Sequence, residues 1–149
     1  MSLFGSINIS SSGLTAERLR MDIISKNIAN ANTTRTANGT PYRRQVVTFK
    51  AAETGSFKSH LSKHMNKNEN DNIGNGVEVT GIKEDESSFK RIYDPGHPDA
   101  DKNGYVLMPN VNIVTEMINM ISATRAYEAN VTALNSSKSM MMKALEIGR

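Results

Sequence analysis

The sequence has no cysteine and no tryptophan, and only four phenylalanines, four tyrosines and four prolines among its 149 residues. Without cysteine there is no disulfide framework, no thiolate metal site and no thiol nucleophile. The shortage of aromatics, with a hydrophobic content of 38%, predicts a thin core, because aromatic side chains supply much of the buried area of ordinary domains. No stretch approaches the roughly 20 apolar residues that a membrane-spanning helix needs, so no membrane insertion is expected. The opening residues, Met1-Ser2-Leu3-Phe4-Gly5-Ser6-Ile7, have neither a basic region nor a continuous apolar run, and no cleaved secretory signal is expected there. Segregated charge is missing as well. Eighteen Lys and Arg against 15 Asp and Glu leave +3, and the only adjacent basic pairs are Arg43-Arg44 and Lys90-Arg91. A nucleic-acid reader gathers its basic residues on one face among aromatics, so no nucleic-acid partner is expected.

What the chain does have is helical periodicity at both ends. Ile7, Leu14, Met21 and Ile28 are seven apart, with Ile24 between the last two, which predicts a helix from Leu3 to about Ala31. Ser10-Ser11-Ser12-Gly13 contains poor interior helix formers and predicts a kink, a frayed turn or a late start. The Asn-rich run from Asn27 to Asn32 predicts the end of the helix, because asparagine tolerates the left-handed conformation and competes for backbone bonds. In the last third, Ile113, Met117, Met120, Thr124, Tyr127, Val131, Leu134, Lys138, Met141 and Leu145 follow at alternating spacings of four and three. That heptad seam predicts a long helix with a partner, starting at Asn110 or Asn112 after Pro109, with Glu116 suited as an acid to its first turn. Val114, Ile118 and Ile121 add a second apolar stripe beside it, so a helix pair would still expose apolar surface. Most of the nine methionines lie in this third, where flexible thioethers fill irregular helix seams.

Between the helices the texture changes. Tyr42 to Lys50 is β-branched and aromatic after the breaker Asn38-Gly39-Thr40-Pro41, and predicts a strand. Gly76 to Lys83 alternates apolar and polar, and Ser88 to Tyr93 runs into Asp94-Pro95-Gly96, so two short antiparallel strands are predicted. The segment at about 53–75, rich in Lys and Asn, reads as a mobile polar insertion. The expected fold is therefore α+β: long N- and C-terminal helices forming a coiled-coil-like pair, with a small antiparallel β middle region. Residues 1–34 and 108–149 would form a terminal helical domain, and 35–107 the middle region. Composition and period favour assembly with other subunits but leave open an intramolecular helix hairpin on a small sheet with no polymer; a binding module or export adaptor engaging one partner, and a cytosolic helical regulator, are the further alternatives.

Catalytic and metal chemistry finds little support. His60 and His64 are four apart but lack the glutamate that a zinc protease places after the first histidine. Asp99-Ala100-Asp101-Lys102-Asn103-Gly104 matches the first half of a calcium loop, yet Asn110 stands where the bidentate glutamate belongs, so a turn before a strand at Gly104 to Leu107 is expected instead. Gly74 and Gly76 have no following Lys-Ser or Lys-Thr and make no phosphate loop. No catalytic set, cofactor or metal is expected.

The stretch from Ser12 to Thr33, with Asn27-Ile28-Ala29-Asn30 at its heart, resembles the N-terminal signature of flagellar axial proteins of the rod and hook. Asn110 to Ile118 and Ser122 to Asn130 resemble the C-terminal helix of the same family, with Tyr93 to Pro98 and Gly104-Tyr105-Val106 between. The resemblance implies a structural, non-catalytic subunit of the basal-body rod near the cell, polymerising through its terminal helices. It implies a place in the periplasm, reached through the flagellar type III export apparatus without a cleaved signal. Implied partners are copies of itself, sister rod proteins (FlgB-, FlgF- and FlgG-like) and a rod-base adaptor (FliE-like). It places Asn27, Ile28, Ala29 and Asn30 at a subunit contact that closes the first helix, and Arg125, Tyr127, Glu128 and Asn130 as polar contacts around the second, where Arg125 and Glu128 also read as a helix-face ion pair at spacing three; the helix faces add Ile7, Leu14, Met21, Ile113, Met117, Met120, Tyr127, Val131, Leu134, Met141 and Leu145.

Overall fold

The computed structural model describes residues 3–52 and 75–147, so the segment at about 53–75, apart from Asn75, and the His60–His64 pair lie outside the described residues. The elements run α1 (Leu3–Ala29), β1 (Gln45–Ala51), β2 (Val77–Glu84), β3 (Lys90–Tyr93), β4 (Tyr105–Met108) and α2 (Ile113–Ile147). β1 pairs with β2, and β3 pairs with β4, in two separate two-stranded sheets. The architecture is α+β, with the two helices at the chain ends and the four strands between them.

α1 passes through Ser10-Ser11-Ser12-Gly13 as continuous helix from Leu3, so neither the frayed turn nor the late start expected there occurs. Two local causes are visible. The Ser12 hydroxyl donates to the Ile9 carbonyl at 2.7 Å and the Thr15 hydroxyl to the Ser11 carbonyl at 3.1 Å, so these groups bond back onto the helix instead of unwinding it. Gly13 faces the Asn130 side chain, and a Cβ built there would lie 3.0 Å from Asn130 Nδ2. A glycine that weakens helix propensity by about 1 kcal/mol is thus the residue that lets Asn130 approach. The helix ends as expected: beyond Ala29, Asn30 Nδ2 donates to the Lys26 carbonyl at 2.9 Å, and a turn follows.

α2 begins at Ile113 with Asn112 as its cap, the Asn112 Oδ1 accepting from Val114 N at 3.0 Å. Asn110 is not part of the helix. Its Oδ1 accepts from Arg44 N and its Nδ2 donates to the Asp85 carbonyl and the Ser87 hydroxyl, which commits it to the strands. The turn read into Asp99 to Gly104 is present. The Asp101 carboxylate accepts from Asn103 N at 2.8 Å and Tyr105 N at 3.0 Å, closing the loop that leads into β4. β3 and β4 are antiparallel, with Lys90 opposite Met108 and Tyr93 opposite Tyr105, whose rings meet edge to face at 5.3 Å.

The chain divides into two compact units. The first comprises Met1–Glu17, Phe49–Thr80 and Arg125–Arg149. In it the Ser12 hydroxyl accepts from Val77 N at 3.0 Å, Ala52 N donates to the Gly76 carbonyl, and Lys50 pairs with Glu78 at 3.3 Å. Its buried side chains, among the described residues, are Ser10, Ala16 and Ser137, all small. The second unit comprises Arg18–Thr48 and Gly81–Thr124. It holds the larger buried side chains Ile23, Ile24, Asn27, Tyr42, Val106 and Glu116, and Ala31, Tyr42 and Val111 form its apolar cluster.

Candidate subunit interface

The second unit is organised around a buried carboxylate. Glu116 enters α2 one residue before Met117, on the side of the helix that turns inward, and only 1% of its surface is exposed. Its Oε1 accepts from Arg44 Nη2 at 2.8 Å and Nε at 2.9 Å, the two-pronged geometry that makes guanidinium pairs strong. Its Oε2 accepts from Asn27 Nδ2 at 2.9 Å. Asn27 is equally buried and has no unused capacity: Nδ2 also donates to the Gln45 carbonyl, and Oδ1 accepts from Gln45 N and the Tyr42 hydroxyl, each at 2.8–2.9 Å. Arg44 Nη1 reaches Asp85 at 3.3 Å, so the guanidinium lies between two carboxylates.

The electrostatics follow from this packing. Burial opposes the charge on Arg44, but hydrogen bonds and attraction from Glu116 and then Asp85 outweigh it and hold the guanidinium above its ordinary range. Burial raises the Tyr42 phenol, and the negative charges of Glu116 and Glu84 raise it further. Hydrogen bonds from Ser87, more than the nearby Arg44, hold the Asp85 carboxyl below its ordinary value.

The interface candidates read from the sequence are distributed unevenly. Ile7, Leu14, Met21, Ile28 and Asn30 on or just beyond α1 are half-buried. On α2, Met120, Tyr127, Val131, Leu134 and Met141 are half-buried, while Ile113, Met117 and Leu145 are exposed. The most buried positions of α2 are instead Glu116, Ala123 and Ser137, with half-buried Asn130 completing a line at intervals of seven. The apolar seam read from the sequence flanks that line. Helices approach most closely where side chains are small, so the innermost positions carry Ala, Ser and Asn while the bulkier residues fill the sides.

Two family models match the chain at its two ends. The model described as flagella basal body rod protein covers residues 7–35, and that described as the C-terminal region of the flagellar basal body rod proteins FlgEFG covers 102–147. Relatives match throughout. The flagellar basal-body rod protein FlgC of Bacillus subtilis (strain 168) is 50% identical over 153 positions, spanning all of both chains. FlgC of Borreliella burgdorferi is 52% identical, covering 99% of this chain and 98% of that protein, and FlgC of Salmonella typhimurium is 38% identical over the whole of both. The chain belongs to the FlgC family of flagellar basal-body rod proteins. It is a structural subunit of the flagellar basal body.

Seen as a FlgC-family chain, the hub has two parts inside the matched ends, Asn27 and Glu116, and two outside them, Tyr42 and Arg44. Its intramolecular role escaped the sequence reading, which took Asn27 as a helix stop or subunit contact and Glu116 as a first-turn acid. A signal was present for one of them: Glu116 lies among Val114, Met117 and Ile118. Glu116 is a lone charge inside an otherwise apolar segment, a pattern that calls for a buried partner of opposite sign, whereas Arg44, next to Arg43, is not singled out by its neighbours. Arg125 and Glu128, which the sequence allowed as a helix-face pair, are joined at 2.8 Å on the surface.

Proposed function

We propose that this chain polymerises into the proximal rod through its two terminal helical segments, 1–34 and 108–149, leaving 35–107 as a supporting body. The observation that carries this is the apolar face at the start of α2, where Val114, Ile118 and Ile121 are 66%, 59% and 62% exposed beside exposed Ile113 and Met117. An apolar stripe of this kind belongs against a partner, and burying each such side chain stabilises by about 1.5–3 kcal/mol. The half-buried faces of α1 and α2, including Ile7, Leu14, Met21, Ile28, Tyr127, Val131 and Leu134, supply the rest of the contact. Unlike patches meeting head to tail give an open helical tube, which suits a drive shaft that transmits torque around an export channel.

The partners in this reading are copies of the chain, FlgB-, FlgF- and FlgG-like sisters and a FliE-like adaptor. Export by the flagellar type III apparatus without a cleaved signal brings it to the periplasm, and it carries out no catalysis. The test is assembly. Purified chain mixed with sister rod proteins should grow into particles visible by electron microscopy, and deletion should abolish swimming with basal bodies halted before the distal rod. Intact swimming after deletion, or one-to-one complexes that never grow, would overturn the reading.

A further inference from the structure

We propose that a groove beside the β3–β4 hairpin receives the acidic corner Glu84-Asp85-Glu86 of a second copy of this chain, with Arg35 and Arg91 of the groove pairing with Glu84 and Glu86 of the copy. This deepens the rod reading and rests on it only in that copies of the chain meet. It gives the body between the helices a contact of its own.

The groove lies within the second unit, is open to solvent and has a volume of about 560 Å³. Arg91, Tyr105 and Leu107 stand on one face of the hairpin, because Arg91 is opposite Leu107 and Tyr93 opposite Tyr105. Pro41 and Pro98 line it as well, so its floor is largely apolar. Its carboxylates are committed internally. Asp99 accepts from the Thr34 hydroxyl at 2.8 Å, and Asp101 accepts from Asn103 N and Tyr105 N. Its guanidiniums are not committed: Arg35 lies 3.9 Å from Asp99 and Arg91 3.8 Å from Asp101, too far for hydrogen bonds, and among the described residues neither donates one. Their side chains are 73% and 62% exposed. Arg91 rests 5.1 Å from the centre of the Tyr105 ring, which orders its plane without using its N–H donors. Two forked donors over an apolar floor fit a pair of carboxylates.

The chain carries such a pair. Glu84, Asp85 and Glu86 are consecutive acids. Asp85 turns inward to Arg44, while Glu84 and Glu86 are exposed and, among the described residues, in no ion pair. The neighbouring Arg43 is occupied elsewhere, over the Phe89 ring at 4.6 Å and on the Asp85 carbonyl at 3.1 Å. Groove and corner are different patches of one unit. A copy can therefore give its corner to one neighbour and its groove to the next, the head-to-tail contact that an open polymer uses.

The chain has no cysteine, so introduced thiols report one contact at a time. Ala100 lines the groove, and Ser88 is exposed two residues beyond Glu86. Full-length Ala100→Cys and Ser88→Cys chains, mixed at low ionic strength and oxidised, are expected to form the mixed disulfide dimer at least about fivefold faster than either chain pairs with itself. Added salt should slow that reaction, since the groups are exposed. Arg35→Gln with Arg91→Gln in the first chain should remove the preference, as should Glu84→Gln with Glu86→Gln in the second. Arg35→Glu with Arg91→Glu should remove it too, and adding Glu84→Arg with Glu86→Arg to the other chain should bring it back, which a loss of folding cannot do. No preference for the mixed dimer, or a loss that the charge swap does not repair, would overturn the proposal. So would a groove reversal that stops growth with sister rod proteins while the lone chain forms no mixed dimer, because the groove would then belong to a sister. The cross-link needs no other subunit, so its failure leaves the rod reading standing, and that reading is decided by assembly and swimming.

Discussion

Asn27 makes four hydrogen bonds from a side chain at which the sequence placed only the end of a helix. Replacing it with alanine strands Gln45 N, the Tyr42 hydroxyl and one oxygen of Glu116, at roughly 1–3 kcal/mol for each buried group left without a partner. Asn27→Ala is therefore expected to lower the urea midpoint of the isolated chain clearly. Asn27→Asp should lower it further at neutral pH, because a second carboxylate would face Glu116 where an amide now donates. The pH limits of stability belong to the neighbours of this pair. The folded state holds the Tyr42 proton more tightly than the unfolded chain does, so its contribution is intact below 10.0 and is lost as pH rises above that. Asp85 behaves oppositely: its folded carboxyl gives up its proton more readily, so its contribution is intact above 3.8 and is lost as pH falls below it. Melting temperature against pH should show both limbs, with Tyr42→Phe flattening the alkaline one and Asp85→Asn the acid one.

At the scale of elements, the β3–β4 hairpin turns on Gly104, whose φ is +77° and whose missing Cβ leaves room for the Tyr93 ring. An alanine there would take on the left-handed strain, about 1–2 kcal/mol, and would also push its methyl to 2.9 Å from Tyr93 Cε2. Gly39 provides the control, since its φ is +75° and nothing lies within 4 Å of a Cβ built on it. Gly104→Ala should destabilise the chain by more than Gly39→Ala in denaturant melts, and the difference measures the Tyr93 contact. Equal losses would remove the ring from the account. The helices teach a related lesson. Heptad hydrophobicity located α2 but not the line that the chain itself buries, since Ala123 and Ser137 are too small or too polar to stand out in an apolar period, while Met117 and Leu145 of the seam are exposed in the single chain.

For the whole molecule, the decisive feature is apolar surface that the chain leaves open. Val114 and Ile118 each expose more than half of their surface. Changing both to aspartate should shift the stability of the isolated chain by no more than about 0.5 kcal/mol per site, because neither supports its core. Assembly with sister rod proteins, read by particle growth and by swimming, should be lost. A variant that still swims would place the contact elsewhere, and one that unfolds would mean these residues pack internally.

The sequence by itself determined the α+β class, the position of both terminal helices, the Asn-rich stop of the first, and the turns at Asp94 and Asp101, while the choice of Asn112 over Asn110 as the cap of α2 came from the structure. These depend on periodicity and on local backbone bonds, which neighbouring residues fix. Only the tertiary structure decided that Asn27, Tyr42, Arg44 and Glu116 meet, that Ser10 to Gly13 stays helical, and which line of α2 turns inward. Asn27 and Glu116 are 89 residues apart, and no local rule ties two polar side chains across that separation. Their pairing follows from burial, where a charge is tolerated only beside the groups that complete its hydrogen bonds.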